Sequence, residues 1–143
     1  MDLPVKALHP AATFPAQAQP GDVGFDLAVL EAVTLQPGER AVVPTGIAVA
    51  IPEGYAGLLL PRSGLASKRG LTLANAPGLI DSGYRGEVQV AIVNLDPSAA
   101  VEIRAGDRIA QLVIVAVPEV RASWVDELPA SARGQGGFGS TGV

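Results

Sequence analysis

The chain has 143 residues, 48% of them hydrophobic and only 4% aromatic, enough apolar material for one domain with an aliphatic core. Its formal net charge of -4 and pI near 4.8 remove the broad basic field that would draw in nucleic acid. No cysteine is present, which excludes disulfides, thiolate nucleophiles and cysteine-based zinc sites.

The first residues, Met1-Asp2-Leu3-Pro4-Val5-Lys6, show no basic segment followed by an apolar run. The longest apolar stretches are broken by Pro44-Thr45-Gly46 or end at Pro118. A cytoplasmic protein without a membrane segment is expected. With 17 Gly and 12 Pro spread along the chain, long helices are nearly excluded. The longest run free of both, Phe25 to Gln36, has an imperfect period of two and predicts a strand. Further strands are predicted at Arg40–Val43, Ile47–Ile51, Tyr55–Leu60, Glu87–Asn94, Val101–Ile103 and Ile109–Val117. Many short strands at even spacing indicate an all-β sandwich, jelly roll or barrel. One domain is expected over 1–128, followed by a flexible arm over 129–143.

A short helix fits Ser63–Gly70, with Ser63 as N-cap and Gly70 at the left-handed C-terminal position. Arg62 and Ser63 would then sit beside free helix N–H groups, in outline a phosphate cradle; an ordinary cap with a solvated Arg explains the same residues. The stretch Ala74–Glu87 reads as a hairpin turning at Asp81-Ser82-Gly83. An Asp at a strand end can act as general base for an attacking water and suits magnesium, though Asp is also a favoured turn residue. Asp26 breaks an apolar run and either supports a metal or an Arg, or faces solvent. Gln111 is polar inside an otherwise apolar strand, so it either bonds a neighbour in the core or faces a site. His9 is the single histidine, which excludes a His-pair metal site.

The tail, Arg133-Gly-Gln-Gly-Gly-Phe-Gly-Ser-Thr-Gly142, is too rich in glycine to build a core, yet carries an Arg and a Phe. It is either a disordered end or a lid whose Arg and Ser bind phosphate while Phe138 covers a base. Gly134, Gly136 and Gly139 satisfy the G-x-G-x-x-G string, but no strand leads directly in and no helix can follow, so the dinucleotide reading fails.

Five segments in order resemble the motifs of the trimeric dUTP pyrophosphatases, the dUTPases: G-D-V-G-F-D-L, P-R-S-G-L-A, N-A-P-G-L-I-D-S-G-Y-R-G-E, G-D-R-I-A-Q-L and R-G-Q-G-G-F-G-S-T-G. The resemblance implies a jelly-roll-like subunit in a homotrimer, with shared active sites closed by a mobile C-terminal arm. It implies hydrolysis of dUTP to dUMP and pyrophosphate by water attack at the α-phosphorus, with Mg2+ held mainly through the triphosphate. It further implies that Arg62, Ser63 and Gly64 contact phosphates, and that Asp81 positions the water and holds the 3′-hydroxyl. Tyr84 would pack on the deoxyribose. Asn75 and the backbone at Gly78, Leu79 and Ile80 would bind uracil, with Gln89 near the substrate. Gln111 would bond phosphate or metal-bound water, and Asp26 would act on the metal through water. Arg133 and Ser140 would meet the phosphates, Phe138 would stack on uracil, and Gly139 would bind substrate beside them. Gly83 stands where many relatives carry a second Asp, and Phe25 where a Tyr is common.

Two other readings compete. The dCTP deaminases share the fold but need a Glu on the strand where this chain has Ala91. A silent nucleotide-binding jelly roll would be expected to lack Asp81 or the tail, and both are present.

Overall fold

The computed structural model describes residues 1–136, and among them are ten β-strands and one short helix. One four-stranded sheet runs β1(Val5–Ala7), β4(Arg40–Val49), β8(Glu87–Asn94), β6(Leu71–Leu73) from edge to edge. A second runs β2(Phe25–Ala28), β10(Arg108–Ala116), β5(Tyr55–Pro61), β7(Gly78–Ile80), and β3(Val33–Leu35) pairs with β9(Val101–Ile103). The pairings are antiparallel, so the expected all-β, jelly-roll-like architecture is the one found.

Strand β8 shows why the sequence folds this way. Its Val88, Val90, Ile92 and Asn94 are buried while Glu87, Gln89, Ala91 and Val93 turn outward, the alternation of a strand with one face on the core. Leu27, Leu71 and Leu112 from other strands, and Ile51 just past β4, share the core with this face. Burying each such side chain contributes about 1.5–3 kcal/mol. Asn94 is, with Thr45, one of two buried polar residues among those described: its amide nitrogen donates to the carbonyls of Leu35 (3.0 Å) and Ala99 (2.9 Å), and its oxygen accepts from Asp96 N (2.9 Å). Asp96 in turn accepts the backbone N–H groups of Ser98 (2.9 Å) and Ala99 (2.7 Å). These bonds hold its carboxyl below the ordinary value of 3.8.

Several expected boundaries shift. Phe25–Gln36 is two strands in different sheets, because the chain leaves β10 after Ala28: Val29 N donates to Asp107 O (3.0 Å) and Leu30 N to Pro44 O (2.9 Å) before β3 joins β9. Arg40–Val43 and Ile47–Ile51 are one strand, β4, carried through Pro44-Thr45-Gly46 by an irregularity between Pro44 and Ala48. Thr45 Oγ1 donates to Val88 O (2.5 Å), and Glu87 Oε1 accepts Gly46 N (2.8 Å), pinning that irregularity to β8. The Ala74–Glu87 stretch is no hairpin, since β7 pairs with β5 while β8 pairs with β4 and β6. Its turn carries the chain from one sheet to the other. Strands β1 and β6 were too short to announce themselves by periodicity.

Helix α1(Ser63–Arg69) ends at Gly70, whose φ of 65° is the expected left-handed stop. Its start corrects the expectation: the N-cap is Arg62, with no side-chain cap bond, and Ser63 is the first helical residue. Arg62 keeps the extended geometry of the preceding strand, at φ -87° and ψ 123°, while its carbonyl accepts Leu65 N and Ala66 N.

Candidate active site

Of the expected phosphate-contacting residues, Arg62, Ser63, Gly64 and Gln111 come together where β2, β10 and β5 lie side by side. The register sets Asp26 opposite Gln111, and Gln111 opposite Leu60, so Arg62 at the end of β5 lies beside both. Asp26 does not face solvent: its side chain is 14% exposed and braces two arginines. Arg62 Nε reaches Asp26 Oδ1 at 3.0 Å, and Arg108 Nη1 reaches Oδ2 at 3.0 Å. Arg62 Nη1 also donates to the Arg108 carbonyl at 3.3 Å. One carboxylate thus fixes the Arg62 guanidinium by its Nε edge. Gln111 does both things foreseen for it, donating to Pro61 O (3.2 Å) while lining the cleft. A side chain at Gly24 would collide with the Gln111 carboxamide, so glycine there gives Gln111 its place.

Asp26, Arg62, Gln111 and Gly24 border a cleft of about 670 Å³ that also includes Ser63, Gly64, Lys68, Arg69 and Asp22, while Arg108 lies outside it. Its size lies within the about 300–1,000 Å³ typical of ligand pockets. With Arg62, Lys68 and Arg69 at its wall and Asp26 already committed to arginines, it suits a polyanion.

The other expected residues lie elsewhere. Asn75, Gly78, Leu79, Ile80, Asp81, Tyr84 and Gln89 line a separate cleft of about 200 Å³, with Leu59, Glu87 and Val88. Among the described residues none lines both clefts. β7 is held on β5 through Leu58 opposite Leu79 and Leu59 opposite Gly78, which places the backbone of Gly78–Ile80 at the cleft wall. Beyond it, Tyr84 N donates to Asp81 O (3.0 Å) and Tyr84 Oη to Glu87 O (2.9 Å), closing the turn that carries Asp81. Glu87 is the second carboxylate here, but its Oε1 is engaged by Gly46 N at 2.8 Å.

Arg133 lines neither cleft and donates instead to Gly136 O at 2.9 Å. Phe138, Gly139 and Ser140 lie outside the described residues. From Pro118 to Gln135 every residue is exposed, Trp124 completely.

Sequence reasoning missed Arg108, Lys68, Arg69, Gly24 and Glu87. Strict alternation would put Arg108 and Gln111 on opposite faces. The register shift between Arg108 and Ala110 brings both to Asp26. The motif that contains them was visible, but not the bulge inside it.

Among the described residues no group of three or more His, Cys, Asp or Glu could hold a metal ion. Asp22 and Asp26 are the carboxylates of the larger cleft. Such a donor set fits Mg2+ only as an ion that keeps most of its waters and arrives on phosphate oxygens. No helix among the described residues is long and apolar enough to cross a membrane.

A β protein with an arginine-braced cleft for a polyanion and a smaller cleft bearing a turn Asp and a Tyr belongs, as a class, with the nucleotide-handling β enzymes. The dUTPase family model matches residues 11–142, and the chain belongs to that family. It is 54% identical over 142 residues to the deoxyuridine 5'-triphosphate nucleotidohydrolase of Streptomyces griseus, covering 99% of this chain and 81% of the relative. The enzyme of the same name from Thermobifida fusca is 56% identical over 138 residues, covering 96% and 77%. Among solved structures, the Staphylococcus bacteriophage 80alpha dUTPase with dUpNHpp superposes at a TM-score of 0.91 with 37% identity, covering 99% of each chain. A mutant dUTPase from phage phi11 of S. aureus, described with coordination of a structural Mg(II) ion, superposes at 0.84 with 33% identity, covering 91% of this chain and all of that one.

Proposed function

We propose that the chain hydrolyses dUTP to dUMP and pyrophosphate, acting on the cytoplasmic nucleotide pool to keep uracil out of DNA and supply dUMP. The observation that carries this is the match of the dUTPase family over residues 11–142, joined to a structure in which Asp81 and the Asp26-braced Arg62 each border a cleft.

In this reading Arg62, Ser63, Gly64 and Gln111 bind the phosphates. Asn75 and the backbone of Gly78, Leu79 and Ile80 read the uracil edge, while Tyr84 packs on the deoxyribose and Gln89 stands beside it. Asp81 accepts a hydrogen bond from water and takes its proton as the water oxygen bonds the α-phosphorus. The bond from that phosphorus to the bridging oxygen breaks, and pyrophosphate leaves. Asp26 would hold Mg2+ through water when the ion is bound on the phosphates, where it would offset part of their charge.

Among the described residues none lines both clefts, which agrees with a site that copies of the chain build together. The homotrimer of the family supplies that, with Arg133, Phe138, Gly139 and Ser140 of an arm over 129–143 closing the site. Pyrophosphate release measured with dUTP, UTP, dTTP and dCTP in magnesium tests the reading. Release from dUTP well above the other three is expected, and none from dUTP refutes it. Ammonia from dCTP would point to the deaminase instead. Removal of 134–143 is expected to cripple turnover with the oligomer unchanged by light scattering; a truncated protein at full rate would exclude the closing arm.

A further inference from the structure

We propose that Gly86 is a specificity-positioning residue: by lacking a side chain it seats the Tyr84 ring in the smaller cleft, and that seat sets the rejection of a 2′-hydroxyl. The inference rests on the reading of Tyr84 as the ring that faces the sugar.

Backbone conformation does not ask for glycine at this position, since Gly86 is outside the left-handed region, unlike Gly70 or Gly46. What asks for it is the tyrosine two residues earlier. A Cβ built on Gly86 would stand 2.6 Å from Tyr84 Cζ and 3.0 Å from Cε2, and nearer still to the hydroxyl, so the ring lies directly on the bare Cα. Carbon atoms pack at about 3.5–4.0 Å, and so the ring must leave if a methyl group arrives. The hydroxyl bond to Glu87 O at 2.9 Å holds the ring down from its far end, and Tyr84 N to Asp81 O at 3.0 Å ties the same residue to the turn. Tyr84 is 47% exposed, so a displaced ring can swing into water without disturbing the core. The nearby Gly83 supplies the contrast: a Cβ there meets nothing within 4 Å, and its φ is likewise outside the left-handed region.

A side chain at 86 therefore alters the site through Tyr84 and not through the fold. Gly86→Ala is expected to lower the dUTP-over-UTP ratio of kcat/KM roughly 10- to 100-fold, the range over which a shaped pocket rejects one added hydroxyl. Gly83→Ala should leave the ratio unchanged. In a Tyr84→Ala background, adding Gly86→Ala should change the ratio no further, because the ring it displaces is gone. A wild-type ratio in Gly86→Ala, or an additional drop in the Tyr84→Ala background, would overturn the proposal. If Gly86→Ala alone fails to fold, the Tyr84→Ala pair decides, since the collision is absent there. If the native protein releases no pyrophosphate from dUTP, the functional reading fails on its own. The seat is then judged by proton cross-relaxation between the Tyr84 ring and the Gly86 Cα hydrogens: its presence upholds the seat and its absence refutes it.

Discussion

The two clefts are made in opposite ways. The larger draws Asp26, Arg62 and Gln111 from three adjacent strands of one sheet, and a carboxylate between two guanidinium groups fixes its geometry. The smaller takes most of its wall from a single stretch, Asn75 to Gln89, bent from one sheet to the other and closed by hydrogen bonds within the turn. The first is precise because the sheet is rigid. The second can change with single substitutions in its turn and leave the core alone, which suits the part of a site that reads one nucleotide against its close analogues.

If that division holds, substitutions in the two clefts should fail differently. The largest effect is expected in the turn. Asp81→Asn should retain fold and nucleotide binding while turnover falls about 10²–10⁴-fold, the usual contribution of a positioned acid–base group. Single-turnover kinetics beside a binding isotherm separates the two, and an unchanged rate would remove Asp81 from the chemistry. Next comes the brace. Asp26→Asn leaves Arg62 and Arg108 without their shared carboxylate, and kcat/KM for dUTP should drop by about 10–100-fold, as expected when a phosphate-positioning group drifts by an ångström. Its melting temperature should fall modestly, because Asp26 is largely buried while both arginines it braces keep access to water. A large loss of stability with normal kinetics would make the brace structural. Arg108→Ala should cost less than Asp26→Asn, and its effect should shrink in high salt, since Arg108 is 54% exposed. The smallest effect serves as a control outside both clefts. The Asp96 carboxyl is held below its ordinary 3.8 by the N–H groups of Ser98 and Ala99. Its stabilising contribution is therefore present above 3.8 and is lost as pH falls through the lowered value. Asp96→Asn should melt slightly below wild type at neutral pH, converge with it in acid, and leave turnover untouched.

The contrast also explains what could be read without a structure. The smaller cleft was legible as a motif because its residues are neighbours in sequence; only its path was misjudged, since a turn that crosses between sheets and a hairpin carry the same Asp, Ser and Gly. Gln111 was visible as the polar interruption of an apolar strand. Arg108 was hidden by a bulge that no alternation announces, and the break after Ala28 by apolar residues that continue the period through it. Ser63 was assigned the cap on propensity, but the structure gives that position to Arg62, whose carbonyl takes the first helical N–H groups while its guanidinium goes to Asp26.

The central claim is that the two clefts on one chain are halves of sites completed by different copies. Subunit complementation tests it directly: Arg62→Ala and Asp81→Asn, each expected to be strongly impaired alone, are unfolded together, refolded as mixed oligomers, and assayed for pyrophosphate release from dUTP. Mixed oligomers are expected to recover a measurable part of wild-type activity, because some sites would then pair an intact Arg62 from one copy with an intact Asp81 from another. Mixed oligomers, verified by mass, that stay as inactive as either parent would contradict it.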